Sequence, residues 1–117
     1  MNNSFTISQD LQNQISQIIK DIYSKELGHQ VKEVKVKLRN SNLIIIVEGT
    51  VTKPEQLLSQ TQNRKLAKQV RKFIDDVIQP QIKNSLEEAI EVKILDYLSD
   101  TVIDSNITGA IAILTLN

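Results

Sequence analysis

The sequence predicts an α+β fold with the element order helix, strand, strand, helix, strand, strand. Its four strands are expected to form one mostly antiparallel sheet with the helices on one face. Three observations carry that expectation. Apolar residues recur at spacings of three and four near the N-terminus and again over 57–90, they alternate with basic residues over 34–39, and they run unbroken over 43–47. Each helix has one stripe to bury and the sheet one face, so stacking both helices on that face buries them together.

The first helix begins at Thr6, with Gln9 in the reciprocal capping position, or at Ser8, after a frayed start over residues 1–5. Leu11, Ile15, Ile18, Ile19, Ile22, Tyr23 and Leu27 make its apolar side, and Gly28 suits a left-handed C-terminal cap. Val34, Val36 and Leu38 then alternate with Lys35, Lys37 and Arg39. That is the period-two pattern of a half-buried strand, whose basic side reads as a solvated or aggregation-resistant edge, or as a patch for an acidic partner. The turn residues Asn40, Ser41 and Asn42 lead into the apolar run over 43–47, which makes a hairpin with the second strand the more central one.

Glu48 and Gly49 end that strand, and Thr52 with Glu55 has the spacing of a capping box, with Pro54 in a first turn that tolerates its missing N–H. The second helix follows. An unbroken helix over 53–79 would run about 40 Å against roughly 27 Å for an eight-residue strand, so it must break in the polar segment 59–63 or pack its overhang on a second copy. Pro80 is expected to kink or end it. Residues 92–98 and 110–116 read as the last two strands, joined by a polar connection containing Ser99, Asp100, Asp104, Ser105 and Asn106. A hairpin-exchanged dimer is the alternative to a self-contained sheet.

Length and charge narrow the function classes. The 117 residues fit a single domain over 1–117, large enough for one core. Fourteen basic and fourteen acidic residues cancel, which removes the overall attraction of a dedicated nucleic-acid or anionic-membrane binder, and two Phe and two Tyr leave little for base stacking. The absence of cysteine excludes disulfide and thiol chemistry and suits a reducing compartment, so a cytoplasmic location is expected. The first ten residues have neither a basic n-region nor an apolar h-region, and no segment approaches a membrane span, so direct membrane insertion is not expected.

Three short motifs stand together: Val47, Glu48, Gly49, Thr50, Val51 and Thr52 followed by Glu55; Asn63-Arg64 with Arg71; and Leu98-Ser99-Asp100. They resemble, in turn, a strand ending in Glu-Gly then Leu-Thr and a helix-opening glutamate, with Val51 in place of Leu; a Gly-Arg and later arginine; and a Leu-Ser-Asp. These are features of the MpsC-like family, named after the third component of a sodium-translocating system that generates membrane potential. The chain departs from the family where Gly28-His29-Gln30-Val31 replaces a Gly-Arg-Gly-Pro turn, and where Ala89-Ile90-Glu91 replaces a Thr-Gly. The resemblance spans about residues 11–116 and implies a link to membrane ion transport.

No catalytic constellation accompanies these motifs. His29 is the only histidine and follows a helix cap, where a surface residue or a partner for the helix dipole explains it. Asp96, Asp100 and Asp104 recur every four residues, but across a strand and loop that spacing does not converge on a metal, so no metal or cofactor is expected. Arg64, Lys68 and Arg71, beside Lys65 and Lys72, share a helix face that is either a solvated stripe or a site for an anion or an acidic partner. The leading expectation is a non-enzymatic accessory or regulatory module, homodimeric, that docks on a protein partner such as a membrane transport subunit. Its surface would combine Arg64, Lys68 and Arg71 with the turn containing Gly49, Thr52 and Glu55. The alternative is a small-anion or small-ligand sensor in which Arg64 and Arg71 hold the ligand in a pocket that includes Asp100.

Overall fold

A computed structural model describes residues 5–116. Ser8, the second of the two expected starts, caps α1 (Gln9–Leu27) by accepting from the Leu11 N–H, and Gly28 closes the helix at φ 59°. Phe5, expected in a frayed start, packs against the core; residues 1–4 of that start lie outside the described residues. The basic-apolar alternation becomes β1 (Glu33–Arg39), and the apolar run becomes β2 (Asn42–Glu48), whose side chains are buried at every second position. Asn40 takes the left-handed φ of 58° at the turn between them.

Four antiparallel strands form one sheet in the order β1-β2-β4-β3, with β3 at Ile94–Val102 and β4 at Ile107–Leu114. The two richest apolar strands, β2 and β4, therefore lie inside the sheet. Leu43, Ile45, Ala110, Ala112 and Leu114 on its inner face meet Ile15 and Ile19 of α1 and Ile74, Ile78, Ile82 and Leu86 of the third helix in one core.

Of the two outcomes expected for the long helix, the break within 59–63 is the one that forms, whereas two other boundaries differ from expectation. The long helical segment does break, giving α2 (Lys53–Gln60) and α3 (Arg64–Ile90), because the Thr61 hydroxyl takes the Leu57 carbonyl and Gln62 turns to φ 64°. Pro80, by contrast, neither ends α3 nor starts a fresh segment. Its ring sits on the exposed side, Ile78 and Ile82 bury the helix on either side of it, and the Gln81 side-chain amide donates to the Val77 carbonyl at 3.3 Å. The polar connection also starts later than its composition suggests. Ser99 and Asp100 belong to β3, which continues to Val102, and both last strands begin a few residues from the expected positions.

Candidate functional site

The chain leaves β2 through Gly49, at φ 82°, with room for no larger residue: a Cβ there would stand 2.8 Å from the Lys32 nitrogen. Three anchors fix the exit. His29 Nε2 donates to the Gly49 carbonyl at 2.7 Å, the Gly49 N–H donates to the Asn106 carbonyl, and the Val51 N–H donates to Asn106 Oδ1 at 2.7 Å. The pull of these contacts carries Thr50 and Val51 into the interior, where both are buried.

The capping box expected of Thr52 and Glu55 forms at the start of α2. Glu55 Oε2 accepts from both the Thr52 N–H at 2.9 Å and the Thr52 hydroxyl at 2.8 Å. Glu55 is fully buried all the same, and an isolated carboxylate there would be costly. Arg71 supplies its counter-charge. Nε donates to Glu55 Oε1 at 2.7 Å and Nη2 to Oε2 at 2.8 Å, a bidentate pair, while Nη2 also reaches the Thr50 carbonyl and Nη1 reaches Asp75 Oδ1 at 3.3 Å. Burial by itself works against the guanidinium charge; the hydrogen bonds and field of Glu55 outweigh it and raise its pKa. Burial likewise pushes the Asp75 carboxyl above its ordinary value, against the pull of Arg71.

Two phenols complete this polar centre. Desolvation raises the pKa of Tyr23, which lies within the field of Arg71 and Asp75, and raises that of Tyr97 well above the phenol range. A chain of threonine hydroxyls runs from Thr101 through Thr108, at 2.6 Å, to Thr50, at 2.8 Å. Every buried side-chain polar atom among the described residues has a partner.

Outside the pair lies a cleft of about 540 Å³ between α3 and the β3–β4 end of the sheet, lined by Arg64, Lys68, Arg71, Asp75, Thr101 and Asp104 among others. Arg64 closes one side by pairing with Asp104 at 3.0 Å, with the Ser59 hydroxyl donating to the same carboxylate. That contact holds the Asp104 carboxyl below its ordinary value.

The expected basic face is thus not one surface. Arg71 turns inward to Glu55, Arg64 is tied to Asp104, Lys72 pairs with Asp76, and Lys68 remains exposed at the cleft. Asp100 reaches only the cleft's rim: it belongs to the outward row of β3, and its carboxylate accepts from the Thr101 N–H at 2.9 Å. Gly49 shapes the strand exit and does not line the cleft. Asp75, Tyr97 and Thr108 are not singled out by the sequence, which marks Tyr23 and Asn106 only as a core-stripe residue and a turn residue. Asp75 lies four residues beyond Arg71 and so on the same helix face, a signal that could have found it.

The arrangement suits structure better than proton transfer. Both Glu55 oxygens are occupied, and Arg71 spends four of its five N–H donors inside the chain. Comparison with curated proteins and with solved structures gives no match. Residues 8–116, however, match the family described as "Na+-translocating membrane potential-generating system (MpsC)", and no helix among the described residues is long and apolar enough to cross a membrane. The chain belongs to the MpsC family.

Proposed function

We propose that this protein is a non-enzymatic cytoplasmic accessory module, working as a homodimer, that docks on an integral membrane subunit of a Na+-translocating system. The observation that carries the docking role is on α3. Phe73 is 70% exposed and Leu66, two turns earlier, 47% exposed, on a stripe beside the one that faces the core. Large apolar side chains left in water on a helix are the anchors from which interfaces are built. Lys65 and Lys72 flank the stripe, with Lys72 already paired to Asp76, so Lys65 is the cation that an acidic group of the transport subunit would meet. The family's description supports the transport partner.

The test is affinity capture from detergent-solubilised membranes with the tagged wild type and a Phe73→Glu variant in parallel. An integral transport subunit recovered by the wild type and lost from the variant is the expected result. Equal recovery by both would reject the α3 stripe, and no such subunit with either would reject the accessory role.

A second reading, a small-ligand sensor, is favoured by the cleft, whose volume of about 540 Å³ suits a small molecule. Arg71 is already committed to Glu55, so Lys68 and the Arg64–Asp104 pair would have to do the holding. Bicarbonate, phosphate and acetate titrations followed by thermal shift would expose it; a Lys68→Ala variant that responds like the wild type would remove it.

A further inference from the structure

The helices cover one face of the sheet and leave the other bare. On that outer face the register aligns Lys37, Ile44, Ile111 and Leu98 in one row across the strands. Lys35, Ile46, Gly109 and Asp100 form the next row, and Arg39, Asn42, Ile113 and Asp96 the row on the other side. An irregularity between Ile94 and Asp96 turns Leu95 to the same side. The centre of the face, on β2 and β4, is therefore apolar, with Ile111 41% exposed, and Leu98 on β3 extends it at 56% exposure. Its two edges carry opposite net charge: Lys35, Lys37 and Arg39 outnumber Glu33 on β1, with Glu48 of β2 beside Lys35, and Asp96 and Asp100 stand on β3.

A surface basic along one edge, apolar in the middle and acidic along the other is complementary to itself. A two-fold axis parallel to the strands, between β2 and β4, stacks the face on a copy with the rows kept and their ends exchanged. Arg39 then lies over the partner's Asp96 and Lys35 over the partner's Asp100, with apolar centre on apolar centre. Sheets stack about 10 Å apart, a gap that these long basic side chains bridge, and aligned packing tolerates a rotation of about 30°. An axis perpendicular to the strands would instead put β1 on β1 and lysine on lysine.

We propose that the outer sheet face is the dimer surface of this protein and that its occupant is a second copy of the chain, with β1 over β3 of the partner. The proposal rests on the homodimer reading above and specifies its surface; the Lys35–Glu48 contact at 3.4 Å on the same face leaves the Arg39–Asp96 pair as the cleaner probe.

Because the chain has no cysteine, single cysteines report cleanly. Lys35→Cys and Asp100→Cys chains of different tag length are mixed and treated with a short bismaleimide. Heterologous cross-linking in the mixture, with neither variant cross-linking to itself, is the expected result. Self-cross-linking of Lys35→Cys would overturn the proposed axis. In parallel, sedimentation of Asp96→Arg should show association weakened about tenfold or more, and adding Arg39→Asp should restore it. If the wild type is dimeric but neither cross-links nor responds to Asp96→Arg, the surface is wrong and the dimer stands. A wild type that sediments as a monomer throughout overturns both.

Discussion

Two arginines on α3, two turns apart, each pair with a carboxylate from another element, and they do opposite work. Arg71 and Glu55 have side-chain exposures of 6% and 0%; Arg64 and Asp104 have 61% and 59%. In the interior the guanidinium and carboxylate have no water to fall back on, so each is committed to the other and to the backbone around it. At the surface both ions keep their hydration whether or not they meet. An arginine–carboxylate pair is thus an obligatory joint where it is buried and bidentate and an optional contact where it is exposed and single.

The largest effect should come from breaking the interior pair on one side. Arg71→Ala or Glu55→Ala strands the remaining charge and is expected to cost about 3–5 kcal/mol in urea unfolding. A Glu55→Leu/Arg71→Met double variant should recover much of that loss, because an apolar pair avoids the desolvation that the ions had to overcome. Single variants costing no more than surface substitutions would end the distinction between the two pairs.

The joint also marks where the sequence stops being legible. α1, the first hairpin and the capping box could be read because their signals are local, each within one periodic segment or one four-residue motif. Thr52 and Glu55 declared themselves in this way. Arg71 did not declare its partner, because Glu55 lies 16 residues away across the break at Gln62, and only the fold shows which side of α3 meets α2. Arg64, Lys68 and Arg71 consequently looked alike. β3 failed to be read to its end for a related reason: Ser99 and Thr101 point inward toward a polar centre, so inward positions carry the residue types usual in turns. The β-branched Thr101 and Val102 beyond Asp100 were the signal that could have extended it.

Gly49 supports the interior pair by delivering Thr50, whose carbonyl Arg71 uses. Gly49→Ala should cost about 1–3 kcal/mol, since alanine resists φ 82° and its Cβ would press on Lys32. Equilibrium unfolding measures it; an unchanged midpoint would mean that the strand exit relaxes without disturbing the joint.

The interior should also announce itself at high pH. Tyr23 and Tyr97 have folded-state pKa values above the ordinary 10.0, so the folded state holds protons that the unfolded chain releases. Their contribution is intact below pH 10.0 and is lost progressively as the pH rises past it. Thermal unfolding between pH 9 and 11 should therefore fall more steeply for the wild type than for Tyr23→Phe. Parallel curves would show that burial does not hold the Tyr23 phenol above its ordinary value against the opposing field of Arg71.

The exposed pair should give the smallest response. Arg64→Ala removes a contact whose ions are already hydrated, and the unfolding midpoint is expected not to move measurably at moderate salt. What should change is the Asp104 carboxyl, which loses the interaction that holds it low and should titrate at a higher pH by NMR in the variant. These two readouts separate electrostatic contact from structural support: a shifted titration with an unmoved midpoint marks an optional pair. A large drop in midpoint would mean instead that Arg64, like Arg71, braces the β3–β4 turn against α3, and the contrast between the two arginines would then be one of degree.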